Sequence, residues 1–294
     1  MVLPDAATAA EAYVQAMSDT IIAGIDLDAP DRARDAVALA AWLADATSSD
    51  LVLATVFAPR AGALCTQIEC HRQELARLAA RPVETLAIAG AAPTRLLHEL
   101  GDQRRPRALV IGSSRAGADG TVSVGSVGDL LLHGGGTAVV VAPSGFEPPA
   151  GRTIEIGVAY GVTPESDDAV GVAVELTERS GARLRVLTVR EPAPNHEMPE
   201  LRPGEHLERA LDGAEADRVE LDGDPAVALA AATAGLDLLI AGARSYGPLG
   251  AMLLGAVTRE LAGTAQCPLM VVPRTRDAAL AVALVGGMEA AVDA

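Results

Sequence analysis

The chain has 294 residues, enough for two domains of ordinary size, and half of them are hydrophobic while only 2% are aromatic. Its formal net charge is −16, which argues against nucleic acid or an anionic membrane as a partner, because both require a basic surface. No lysine occurs, all basic charge being arginine, so a Walker-type phosphate loop and Schiff-base chemistry drop out.

In chain order, the run 5–17 has helical spacing and reads as an N-terminal extension within 1–19. Residues 20–25 and 51–57 are apolar, β-rich runs, with helical spacing over 31–45 between them. A helix over 66–80, a strand over 83–89, a helix over 94–100, a strand over 108–111, a helix over 127–133 and a strand over 137–142 complete the first half. A linker spans 145–152, rich in proline and glycine. The second half repeats the order. Its strands are 154–160, 184–189, 218–221, 236–241 and 269–272, and its helices 165–180, 204–211, 225–234 and 257–262. Residues 192–203 hold four prolines and read as a loop over the second half, and 277–292 as a helix in the C-terminal extension 275–294.

Strands alternating with helices predict parallel sheets with right-handed crossovers. The fold class is therefore α/β: two tandem flavodoxin-like or Rossmann-like five-stranded parallel sheets, helices on both faces, in domains 20–144 and 153–274. The halves are copies. Gly112, Gly117, Gly120, Gly125 and Pro143 recur as Gly242, Gly247, Gly250, Gly255 and Pro273, each 130 residues on, and Val127, Leu131 and Val141 match Val257, Leu261 and Val271. The fifth strands, as sheet edges, are expected to pair across a pseudo-two-fold, making an intramolecular dimer. A homodimer of whole chains stays open.

In an open α/β sheet the ligand lies beyond the carboxyl ends of the strands where their order reverses. The residues that follow the first and fourth strands of each half are thus the candidates. After the fourth strand of the first half come Gly112-Ser-Ser-Arg115 and, nine residues later, Gly125-Ser126 at a helix start. Glycine lets a phosphate approach the backbone, and a helix N-terminus offers free N–H groups. The second half has Gly242-Ala-Arg-Ser245, nine residues, then Gly255-Ala256.

This pattern resembles the universal stress protein family, whose G-x2-G-x9-G-[ST] run follows the fourth strand. The run from Ser245 through Gly255-Ala-Val-Thr-Arg-Glu-Leu to Cys267-Pro-Leu-Met-Val-Val-Pro is similar to the family's closing segment, as is Asp222-Gly-Asp-Pro-Ala before the third helix. The resemblance covers about 20–143 and 153–274. It implies a binding module, some of whose members take ATP, with Mg2+, at this loop. An acidic residue after the first strand lies near the nucleoside, and the glycine loop with its Ser/Thr holds ribose and phosphates. Carried over residue by residue, the first half has Asp26, with Asp28 in reserve, and Gly112, Gly125 and Ser126, but Arg115 replaces the second glycine. That guanidinium could instead clamp a phosphate. The second half keeps Gly242 and Gly255, but has Ser245 for the second glycine, Ala256 for the hydroxyl and Gly161 near the acid's place; Thr258 offers a hydroxyl two residues late.

Three readings follow: a regulatory stress-response module binding an adenine nucleotide, first in domain one; a structural or interaction protein with degenerate sites; and, least favoured, a slow ATPase. No nucleophile–base pair or metal-ligand spacing appears among His71, His98, His133, His196 and His206, so no enzyme and no metal site is expected. Cys65, Cys70 and Cys267 are sparse and odd in number, which fits a reducing compartment. The N-terminus lacks a secretory pattern, and the apolar run 278–288 is shorter than the roughly 20 residues a bilayer needs. The expected place is the cytoplasm and the protein partner unknown.

Overall fold

The structure is a computed structural model that describes residues 18–114, 120–132, 136–190, 203–245 and 252–273. The expected terminal helices, Arg115, His133 and nearly all of the proline-rich loop lie outside the described residues.

The first half runs β1 (Ser18–Gly24), α1 (Pro30–Thr47), β2 (Asp50–Phe57), α2 (Leu64–Leu78), β3 (Glu84–Ala89), α3 (Pro93–Arg104), β4 (Pro106–Gly112), α4 (Ser126–Leu132) and β5 (Val139–Ala142). The second runs β6 (Glu155–Ala159), α5 (Pro164–Ser180), β7 (Arg183–Arg190), α6 (Pro203–Leu211), β8 (Asp217–Asp222), α7 (Pro225–Ala232), β9 (Leu238–Gly242), a short β10 and β11 (Arg244–Ser245 and Met252–Leu253), α8 (Ala256–Thr264) and β12 (Leu269–Val272). Proline occupies the first turn of α1, α3, α5 and α7, where its missing N–H has no intrahelical partner to lose and its fixed φ suits the helix.

Within each half five strands pair in parallel, in the order β3-β2-β1-β4-β5 and β8-β7-β6-β9-β12, while β10 and β11 form a separate antiparallel pair. The halves are not separate sheets. β5 and β12 pair antiparallel, Leu269 with Val141, Met270 with Val140 and Val271 with Val139, so one ten-stranded sheet crosses the molecule. The central strands are buried on both faces, which is why β5, β9, β12 and residues 108–111 of β4 read as apolar runs, whereas the outer β3 and β8 are partly exposed. Side chains alternate between two cores: Ile21 and Ala23 point to the layer of α1, α2, α5 and α6, and Ile22 to that of α3, α4, α7 and α8. Alanines Ala33, Ala36, Ala40 and Ala44 line one side of α1 and are at most 1% exposed. Spaced three and four apart, they let the helix lie close on the sheet.

The second seam is α1 against α5. One of its flanks is apolar: Trp42 lies with Ile154, Leu176 and Leu238 around a cavity of about 10 Å3, and its ring tilts against Phe146 at 6.1 Å. The other is ionic. Arg107, 7% exposed, donates to Asp19 of its own half at 2.6 Å and to Glu175 of α5, and Arg179 joins both acids. The position 130 residues after Arg107 is Asp237, which instead accepts from Arg152 and from the Glu155 N–H. Charge is inverted there between the copies.

Candidate functional site

Strand order reverses between β1 and β4 in the first half and between β6 and β9 in the second. Beyond the carboxyl ends of those strands lie Asp26 with Gly112, and Gly161 with Gly242. The two mouths differ.

In the first, the turn after β1 is held by Asp26. Its carboxylate accepts from the Asp28 N–H at 3.1 Å and pairs with Arg32 of α1 at 2.7 Å. Asp26 therefore sits where the motif predicts, half-exposed, but already engaged by an arginine that sequence reasoning passed over. The spacing of six residues, across a proline that starts the helix, was the signal.

Gly112 closes β4 against the same helix. A β-carbon there would lie 2.4 Å from the Arg32 carbonyl oxygen. Gly242 meets the Glu165 carbonyl in the same way, at 2.2 Å. Both motif glycines are thus required by the close approach of a helix's first turn to a strand end, whatever binds nearby. Thr258 is buried and turned inward, its hydroxyl 3.4 Å from the Gly242 carbonyl, so it closes this turn rather than replacing the hydroxyl lost at Ala256.

The loop after β4 is a small hairpin tied by serines. Ser113, 2% exposed, donates to the Ala142 carbonyl at 2.6 Å and accepts from the Ser123 N–H at 2.9 Å. Ser114 N–H donates to the Ser123 carbonyl at 2.6 Å, and their hydroxyls meet at 2.9 Å. Gly125 packs on Ser114, a β-carbon there falling 3.0 Å from that of the serine. Ser126 follows at the start of α4 with its side chain exposed. In the second half β10 and β11 form the matching hairpin, Arg244 opposite Leu253 as Ser114 is opposite Ser123. Ser245 lies in β10, opposite Met252, and Gly255 is the N-cap of α8, with no side-chain cap. The first hairpin is also welded to the other half: the Val122 and Val124 N–H groups donate to the Ala265 and Ala262 carbonyls at the end of α8, at 2.7 and 3.1 Å.

Where the first mouth has an acid, the second has the Gly161 N–H bonded to the Ser166 hydroxyl at 3.1 Å, while Thr163 caps α5. Tyr160, buried at the end of β6, donates to Asp167 at 3.2 Å. Burial, followed by the neighbouring Asp167 charge, pushes the phenol's pKa up. Burial also raises the Asp167 carboxyl, against the opposing pull of Tyr160, His206 and Arg209. Asp26 follows β1 and Gly112 ends β4 in the first half, with Gly125 and Ser126 closing the loop after β4; Gly242, Ser245 and Gly255 lie on the corresponding elements of the second half, and Arg115 lies outside the described residues. Among the described residues no group of three metal-ligating side chains occurs, and no helix is long and apolar enough to cross a membrane.

The universal stress protein family model matches residues 155–273, the second half. A universal stress protein of Thermus aquaticus is 31% identical over 131 residues, covering 39% of this chain and 95% of that protein. Among solved structures, the crystal structure of a universal stress protein from Archaeoglobus fulgidus aligns with a TM-score of 0.61 at 16% identity, covering 87% of this chain and 99% of that one. A functionally unknown protein from Pseudomonas aeruginosa PAO1 aligns at 0.64 and 17%, covering 94% and 99%. These two alignments extend the shared fold over both halves. With its motif, its topology and these likenesses agreeing, the chain belongs to the universal stress protein family.

Proposed function

We propose that this protein is a non-catalytic stress-response module of the cytoplasm whose first half binds an adenine nucleotide, ATP with Mg2+ or a related phosphate ester, and passes that state to a protein partner. One observation carries the reading. Asp26 follows β1 and the serine-tied loop after β4 ends in Gly125 and Ser126, so the first half keeps both the acid and the hydroxyl, whereas the second half has lost both. Asp26 would face the nucleoside, and the exposed Ser126 with the Gly125 backbone the phosphates.

The residues fit such a ligand in the first half. Asp26 and Ser126 are both exposed, and Ser126 opens α4. Mass spectrometry of small molecules released from the purified, denatured protein, followed by ATP titration of the emptied chain, tests the reading. One adenine nucleotide per chain is the expected result. No copurified nucleotide and no affinity better than about millimolar would sink it.

A second reading has its own support. The packing of Gly112 and Gly242 on helix carbonyls explains both glycines without any ligand. On that reading both mouths are degenerate and the protein acts through its surfaces alone.

A further inference from the structure

The pseudo-two-fold that relates β5 to β12 also relates α1 to α5. Register along the two helices is fixed by Arg32 and Glu165, whose carbonyls meet the two motif glycines and which stand 133 residues apart. At that same spacing the buried Ala36, Ala40 and Leu43 of α1 recur as the buried Ala169, Ala173 and Leu176 of α5. Trp42 and Glu175 are therefore counterparts, one place before Leu43 and Leu176. The strand starts that they reach are counterparts as well. Arg107 precedes Ala108, the partner of Ile21, as Asp237 precedes Leu238, the partner of Ile156, and Asp19 and Ile154 each stand two residues before that isoleucine.

Each helix lays its counterpart residue on the other half, and each residue meets matching chemistry. Trp42 lines the small apolar cavity with Ile154, Ile156 and Leu238 of the second half. Glu175, 16% exposed, accepts from Arg107 of the first half, whose side edge holds Asp19. Arg179 closes that flank on the Thr47 carbonyl at the end of α1, at 3.1 Å. Like halves would mismatch on both flanks. Two copies of the first half would each bring Trp42 onto Asp19 and Arg107, and Arg107, 7% exposed, would lose Glu175. Two copies of the second half would each bring the Glu175 carboxylate onto Ile154 and beside Asp237, 5% exposed and already paired with Arg152. A buried carboxylate without a cation is among the costliest contacts a seam can hold.

We infer that the α1–α5 seam is a partner-selecting surface that fits the unlike half and not a copy of itself. Trp42 against an apolar pocket and Glu175 against an arginine form a two-part lock, and each part excludes one of the like pairs by a different mismatch. Every assembled pair then carries one mouth with Asp26 and one with Gly161, and a symmetric pair of like halves is closed to this chain. This holds with or without nucleotide.

The test uses the full chain with a protease site inserted after Pro148 in the linker, where residues 147 and 148 are exposed. The folded protein is cut, unfolded in urea, refolded by dilution and weighed by native mass spectrometry. Pairs with one half of each kind are expected, with like pairs below about one part in ten. Two variants should reverse the choice. Glu175→Trp gives the second half a side chain that suits its own Ile154 and Leu238, and should raise pairs of second halves by about tenfold or more. Trp42→Glu gives the first half a carboxylate for its own Arg107, and should do the same for pairs of first halves. Circular dichroism of the uncut variants checks that they fold, and a shift in either one upholds the lock. Like and unlike pairs in the statistical ratio in the native cut protein overturn the inference. So does a native preference that neither variant shifts, which would place the selection along β5 and β12 instead. Failure of the native cut protein to reassemble overturns it too, since the choice would then lie with the linker as a tether.

Discussion

Val140 of β5 lies opposite Met270 of β12 in antiparallel register, and the two are related by the same 130 residues that carry Gly112 onto Gly242. In an antiparallel ladder only the pair on the axis joins a residue to its own symmetry mate. The pseudo-two-fold therefore passes between Val140 and Met270, and the duplicated halves meet as two subunits of a dimer would. The valine is 0% exposed and the methionine 2%, so the axis runs through dry, packed core.

That burial makes the seam intolerant of charge. Met270→Asp would place a carboxylate there with no partner, a change expected to cost about 3–5 kcal/mol. Urea unfolding of the full chain should show a single transition at much lower urea, or two transitions if the halves come apart. Unchanged unfolding would mean that the seam contributes little.

The motif glycines are expected to matter for folding before they matter for binding. Gly112→Ala and Gly242→Ala each drive a β-carbon into a backbone carbonyl and should destabilise by about 1–3 kcal/mol with or without nucleotide. Gly263, in α8 with open space around its Cα, is the control: Gly263→Ala should stabilise by about 0.5–1 kcal/mol through helix propensity. Thermal melts of the three variants in ligand-free buffer check the order.

Two acids should give opposite dependences of stability on pH. The hydrogen bond and charge of Arg107 hold Asp19 below the usual carboxylate value. A depressed folded value adds stability that is present above pH 3.8 and lost as pH falls through the folded value. Burial raises Asp167; its folded form favours the proton, so it opposes folding at neutral pH and ceases to do so as pH falls below the unfolded value. Asp19→Asn should therefore destabilise at pH 7 with little effect near pH 3, and the deficit should shrink in high salt because the Asp19 side chain is 64% exposed. Asp167→Asn, which keeps an acceptor for Tyr160, should stabilise at pH 7 and not near pH 3. Denaturant midpoints at the two pH values decide both.

The thiols should separate by reactivity. Cys65 and Cys70 are exposed on α2, whereas Cys267 is buried ahead of β12, and desolvation pushes its thiol up to about 12. Ellman's reagent at pH 8 should titrate two thiols in the folded protein and the third only after unfolding, since the thiolate is the reacting form. Prompt reaction of three would contradict the packing around Cys267.

Much of the architecture was legible in the chain because it is carried by local, periodic signals. Apolar strand runs and helical spacing placed the elements of both halves within a few residues, and the 130-residue self-match announced the duplication. Gly112 and Gly125 could be singled out by their place after the fourth strand, and Asp26 by the family resemblance. Their circumstances could not. That Gly112 is demanded by the carbonyl of Arg32, 80 residues before it, and that Thr258 turns inward to the Gly242 carbonyl are consequences of helices packing on strand ends. Nor could the β10–β11 hairpin be read, since two-residue strands leave no periodicity to detect. The inverted charges of Arg107 and Asp237 were visible as letters, but only the tertiary fold showed that one faces Glu175 of the opposite half and the other Arg152. Sequence by itself determined which segments form strands and helices and that they come twice, because backbone preference and hydrophobic period act over a few neighbouring residues. Which side chains meet at each mouth was decided by tertiary structure alone, because those contacts form only after distant segments are brought together by burial.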